Sequence, residues 1–243
     1  GEIENIDPWQ NAGTVALQVY FASFLDGEDY KRAIGPDGLA KTYRELFGDP
    51  WAGNTTVLPG SLVQPEFILP FKQGQTWSLT GGPHSAWGSL RPWAAIDFAP
   101  PMTVQGCAET QEFALAVADG VIARVGDGIV VLDLDGDGDE RTGWVVFYLH
   151  IAEKDRIAVG TVVEQGDPIG HPSCEGGTAT GTHVHIARKY NGEWISAVGV
   201  IPFSLEGWTP IEGSTAYEGK LVHGSEEVIA STRSASFSMI TRK

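Results

Sequence analysis

The sequence predicts a mainly β protein, an antiparallel β-sheet domain preceded by a small helical N-terminal segment. Three observations carry that expectation. From about Trp77 onward, apolar and β-branched residues recur with a period of two in short runs. The chain holds 31 Gly and 14 Pro in 243 residues, with eight Trp, a turn-rich composition unlike that of a helical bundle. Helical spacing is confined to the stretch from about Asn11 to Phe47.

Within that stretch Val15, Leu17, Phe21 and Phe24 cluster, and Leu39, Tyr43, Leu46 and Phe47 recur three and four positions apart. Gly35-Pro36-Asp37-Gly38 divides it into two helices. Gly48-Asp49-Pro50 closes the second, because a residue before proline is pushed out of the helical region. Residues 48–75 carry Pro50, Pro59, Pro65 and Pro70 and read as an extended connection. Strands are expected over Ala114–Val125, Gly128–Leu134, Trp144–Ile151 and Thr182–Arg188, with two short strands around a turn within Val159–Gly170. The tail beyond Gly207 has strand-like patches at Lys220–His223 and Ser234–Ile240. The expected organisation is a helical segment and linker over 1–62, a β-rich domain over 63–208 and a C-terminal β extension over 209–243 packing on it.

Charge and composition exclude several functions. The 42% apolar content with 19% charged residues provides for a hydrophobic core, and the 16 basic against 31 acidic residues give a net charge of −15. Such a field disfavours nucleic acid and anionic membrane surfaces as partners. No run approaches the roughly 18 apolar residues of a membrane helix, so no membrane insertion is expected. Because the chain begins at Gly1 rather than Met, a processed form is expected. Cys107 and Cys174 lack CxxC spacing, which leaves one disulfide or two free thiols.

The six histidines hold the chemical signal. In Thr182-His183-Val184-His185-Ile186, strand geometry points His183 and His185 to one face and Val184 and Ile186 to the core. Two adjacent imidazoles can bind a metal, or one can bind while the other moves protons; alone, the pair reads first as exposed histidines on a sheet edge. In Val146-Phe147-Tyr148-Leu149-His150, alternation places Tyr148 with His150 and turns Phe147 and Leu149 inward. Asp97 interrupts the apolar run Ala95-Ile96-Asp97-Phe98, where a buried carboxylate needs a cation, either a metal shared with His84 or Arg91.

Taken together, Gly82-Pro83-His84 with Asp97, Tyr148-Leu149-His150, and Thr180-Gly181-Thr182-His183-Val184-His185 resemble, in order, the three signature segments of the M23-type zinc metallopeptidases of the lysostaphin and LasA kind. The resemblance covers roughly Leu69–Tyr190. It implies a glycyl-glycine or peptidoglycan endopeptidase, secreted or in the cell envelope, acting on peptidoglycan peptide or other peptide substrate. His84, Asp97 and His185 would be the zinc ligands, and His150 and His183 the unliganded catalytic pair. Zinc would acidify water and polarise the scissile carbonyl. One imidazole would take the proton and pass it to the leaving amine while the other stabilises the oxyanion; Tyr148 could assist. The thirteen positions from His84 to Asp97 exceed the compact lysostaphin spacing and match the branch with a longer loop here. His171 and His223 match nothing in the pattern.

A calcium site is a further candidate. Asp133, Asp135 and Asp137 occupy the first, third and fifth positions of an EF-hand-like loop, with Gly138 sixth and Asp139 following. Trp144 stands at the twelfth position in place of the bidentate Glu, and a solvated acidic hairpin is the alternative. Two other functional classes compete with the enzyme: a non-catalytic peptidoglycan-binding or amidase-activating relative, and a calcium-stabilised β adhesion module. Such non-catalytic relatives lose metal ligands, whereas all five pattern residues are present here. The acidic surface implies recognition of a peptide in a groove rather than capture of a polyanion by charge.

Overall fold

The structure, a computed structural model, describes residues 60–89, 91–102 and 106–243. The helical reading of 1–62 therefore lies outside the described residues, apart from 60–62, which form a turn and irregular chain.

Fourteen strands follow in the described residues: β1 (Thr76–Ser85), β2 (Trp93–Ala99), β3 (Ala114–Leu115), β4 (Gly120–Gly126), β5 (Ile129–Asp133), β6 (Trp144–Leu149), β7 (Val162–Val163), β8 (Pro168–Gly170), β9 (Val184–Tyr190), β10 (Glu193–Trp194), β11 (Thr209–Glu212), β12 (Gly219–His223), β13 (Glu226–Ile229) and β14 (Met239–Thr241). A nine-stranded antiparallel sheet runs β14-β1-β2-β9-β6-β5-β4-β7, with β10 also on β9. β11-β12-β13 form a second sheet and β3-β8 a third.

The expected strands are present with two differences. The run Ala114–Val125 is divided between β3 and β4, since the chain turns at Ala118 and Asp119 before β4 starts at Gly120. The short strands within Val159–Gly170 do not pair with each other: β7 joins β4, and β8 joins β3.

Both faces of the large sheet are covered, and this places the site. Leu79, Ile96, Phe98, Val130, Leu132, Val146, Tyr148, Val184 and Ile186 point into the larger core with Phe71 and Trp77, whose rings stack at 5.0 Å. The opposite face carries Ala95, Val131, Val145, Phe147, Leu149, Ala187 and Trp194. Alternation along β9 explains the division: Val184 and Ile186 enter the larger core while His185 and Ala187 share the second face. The same strand ends in two buried cations that the sequence pattern did not single out. Arg188 reaches Gln64 and the Ser196 and Ile201 carbonyls, and Lys189 donates to Glu140 at 3.1 Å. Burial holds Arg188 down at about 9. Beyond residue 208, β14 extends the large sheet beside β1, and Leu221, Val228 and Ile240 complete the larger core.

Candidate metal centre

Three adjacent strands supply the site. Asp97 on β2 and His185 on β9 are cross-strand partners, so their side chains stand side by side on one face. His84 comes from β1, whose register against β2 slips twice between Leu79 and His84: Leu79 pairs Phe98, Gly81 pairs Asp97 and His84 pairs Ala95. Each slip inserts one extra residue in β1, and together they return His84 to the face of Asp97. Gly81 is required by contact: a Cβ there would lie 2.5 Å from Asp97 Oδ2. Gly81→Ala is expected to displace the carboxylate and weaken divalent-metal affinity about 10–100-fold, as read by competition with a chromogenic chelator.

The donor atoms converge. His84 Nε2 lies 3.0 Å from His185 Nδ1 and 3.3 Å from Asp97 Oδ1, and His185 Nδ1 lies 3.1 Å from Asp97 Oδ1. Ligands about 2.0–2.1 Å from a tetrahedral zinc stand about 3.3–3.4 Å apart, so this triangle is close to one face of such a site. Both tautomers are fixed from behind. His84 Nδ1 donates to the Gly82 carbonyl at 2.8 Å and His185 Nε2 to the Ala86 carbonyl at 3.1 Å. The remaining lone pair of each ring therefore faces the common point. All three residues are buried. Burial alone would raise the Asp97 pKa, but the His84, His183 and His185 imidazoles around it hold it well below the carboxylate range. Burial disfavours a charged His84, yet Asp97 outweighs it and raises the His84 pKa; burial lowers that of His185. Arg91 takes no part, pairing instead with Glu212.

His183 and His150 stand beside the triangle. His183 Nε2 is 3.8 Å from Asp97 Oδ2, and the His150 ring lies 4.5 Å from that of His183 and 6.3 Å from that of His185. Each donates Nδ1–H to a backbone carbonyl, His150 to Glu175 at 2.9 Å and His183 to Gly181 at 2.7 Å. The Nε2 atoms are thus left for chemistry. His183 is the more solvent-accessible of the two and marks the open side.

The route of His150 to the site differs from the sequence expectation. Leu149 and not Tyr148 shares the site face, and Tyr148 is buried in the larger core, its hydroxyl accepting from the Val117 amide at 2.8 Å. β6 stops at Leu149, and His150 adopts φ 65°, which breaks the alternation and swings its ring toward His183. Assistance from Tyr148 is corrected accordingly.

Burial, then the neighbouring His183 and His185, push the His150 pKa from 6.5 to about 4. Below pH 6.5 the unfolded chain takes up a proton that folded His150 refuses, so stability is lost as pH falls from 6.5 toward 4. Urea denaturation of the metal-free protein across that window is expected to show a falling limb that His150→Gln flattens.

Tyr217 was not singled out from the sequence. It sits between β11 and β12 at φ 71°, stacks on His84 at 4.0 Å and donates its amide to the Pro83 carbonyl. No period or motif signals it, because it comes from the tail and acts by packing.

The acidic loop is distinct. Asp133, Asp135 and Asp137 bring oxygens within 4.8 Å of one another, while Asp139 is outside that group and pairs with Arg141 at 2.7 Å. Asp133 accepts from the Asp135 and Gly138 amides, and Asp137 from the Asp139 amide and the Thr142 hydroxyl. These donors offset part of the repulsion that suggested calcium, while burial and the neighbouring Asp135 still raise the Asp133 pKa. His171 donates to the Glu112 carbonyl at 2.8 Å, and His223 packs on Trp208, both away from the triangle.

No protein-family model matches the sequence. Protease LasA from two strains of Pseudomonas aeruginosa is 26% identical over 178 residues, covering 66% of this chain and 40% of the relative. The chain thus matches less than half the length of those curated relatives. Among solved structures, the M23 metalloprotease pseudoalterin, described as from the deep sea, superposes with a TM-score of 0.57 at 23% identity, covering 69% of this chain and 96% of that one. That likeness is one of fold.

Proposed function

We propose that this chain is an M23-type peptidase, a secreted zinc metalloendopeptidase that hydrolyses peptide bonds of peptidoglycan cross-links or Gly-rich peptides. The observation that carries the reading is the convergence of three donor atoms, from His84, Asp97 and His185, beside two further imidazoles held at Nδ1 by backbone carbonyls. The donor set suits zinc, being nitrogen and oxygen at tetrahedral spacing with an open side.

Zinc bound there supplies Lewis acidity near neutral pH, acidifying water and polarising a peptide carbonyl. The chain's own residues do the rest. His150 and His183 divide the proton traffic at Nε2: one accepts a proton from water and delivers it to the leaving amine, and the other, protonated, donates to the developing oxyanion. The Glu175 and Gly181 carbonyls keep both rings in the orientation that serves this. Tyr217 braces His84 from the C-terminal extension, which we assign as a 209–243 unit on a 63–208 peptidase unit.

Secretion is supported by the Cys107–Cys174 disulfide, a bond that persists in oxidising compartments. No helix among the described residues is long and apolar enough to cross a membrane. Digestion of purified cell wall and of pentaglycine, analysed by mass, tests the proposal. Cleavage that chelation stops and zinc restores is the expected result; intact substrates with a zinc-loaded protein would refute it.

A further inference from the structure

The two unliganded histidines hang from loops, whereas the three metal-facing residues are built into the sheet. His150 lies just past β6 and His183 just before β9. Their loops are held by two short segments. Ser173 donates its amide at 2.7 Å and its hydroxyl at 3.0 Å to the His150 carbonyl, and its own carbonyl accepts from the His183 amide at 3.3 Å. Glu175 accepts the His150 Nδ1–H. On the other side, the Gly106 carbonyl accepts from the Thr182 amide at 3.0 Å, and the Ala108 carbonyl accepts from the Thr182 hydroxyl.

Between Ser173 and Glu175 stands Cys174, between Gly106 and Ala108 stands Cys107, and the two are joined. One covalent bond therefore ties together the segments whose hydrogen bonds hold His150 and the Thr182–His183 stretch. Cys107 is exposed and Cys174 half-buried, so the bond is open to a reductant in solution. Exposed disulfides of this kind are the labile ones.

We propose that the Cys107–Cys174 disulfide is a redox-sensitive positioning clamp for His150 and His183, so that peptidase turnover depends on its oxidation while metal binding does not. This rests on the peptidase reading. Misplacing such groups by about 1 Å costs on the order of 100-fold in rate. The two cysteines and Ser173 are positioning residues, acting through the imidazoles.

A phosphine reductant, which has no thiol to ligate zinc, provides the test on the full 243-residue chain. The phosphine attacks one sulfur, the S–S bond breaks and the second sulfur leaves as thiolate. Water then converts phosphorus to the phosphine oxide and releases the first sulfur as thiol. The disulfide gains the two electrons that the phosphine loses, and water supplies both protons. Reduction is expected to lower kcat at least about 10-fold, with KM within about twofold and zinc per chain unchanged, and reoxidation should restore kcat. Cys107→Ser/Cys174→Ser should match the reduced protein and ignore the phosphine. Amide exchange should quicken at Thr182 and His183 and stay slow within β2 and β9. Unchanged kcat on reduction overturns the clamp, as does parallel loss of zinc or uniform acceleration of exchange, which marks a general staple. If the oxidised, zinc-loaded protein cleaves no peptide, the peptidase reading fails, and the exchange pattern still decides whether the clamp exists.

Discussion

Asp97→Ala is expected to take bound zinc from one ion per chain to near none and to cut peptide hydrolysis by at least about 1,000-fold, since the reaction loses its Lewis acid. Asp97 is the one anionic donor in the triangle, within 3.3 Å of both imidazole nitrogens. Without it, two imidazoles offer zinc no compensating charge. Zinc content after gel filtration measures the effect. His84→Ala should behave alike, since its Nε2 completes two of the three edges. Stability should fall in step when zinc is present, because an ion that binds only the folded chain stabilises it by mass action.

His183→Ala separates metal from proton transfer. His183 Nε2 lies 3.8 Å from Asp97 and outside the triangle, so the variant should keep one zinc per chain. Its kcat should fall about 100- to 10,000-fold, the usual contribution of a positioned acid or base, with KM little changed. Full activity in this variant would remove His183 from the mechanism even with zinc in place. Steady-state kinetics on one cleavable peptide, alongside metal analysis, reads both quantities.

Much of this arrangement was legible in the sequence where strands run regularly. Alternation along Val184-His185-Ile186 assigned His185 to one face and the two core residues to the other, and β9 has that geometry. Alternation failed where the backbone leaves strand geometry. At His150 a left-handed residue reverses the direction a period of two would give, and Tyr148 turned out to be core. At β1, two register slips between Leu79 and His84 cancel, so His84 keeps the face that alternation from Leu79 gives, and only pairing with β2 reveals them. Asp97 was read as needing a cation because a carboxylate stood in an apolar run, but the choice between Arg91 and imidazoles depended on long-range contacts. Cys107 and Cys174 are 67 positions apart, and spacing alone did not distinguish a disulfide from two thiols. Arg188 and Lys189 extended a strand pattern without signalling burial, which comes from Gln64 and Glu140 far along the chain.

Anomalous X-ray diffraction at the zinc absorption edge, on crystals grown with the metal, bears most directly on the central claim. The predicted result is one strong peak about 2 Å from His84 Nε2, Asp97 Oδ1 and His185 Nδ1 together. No peak at that point, or zinc found only among Asp133, Asp135 and Asp137, would contradict it.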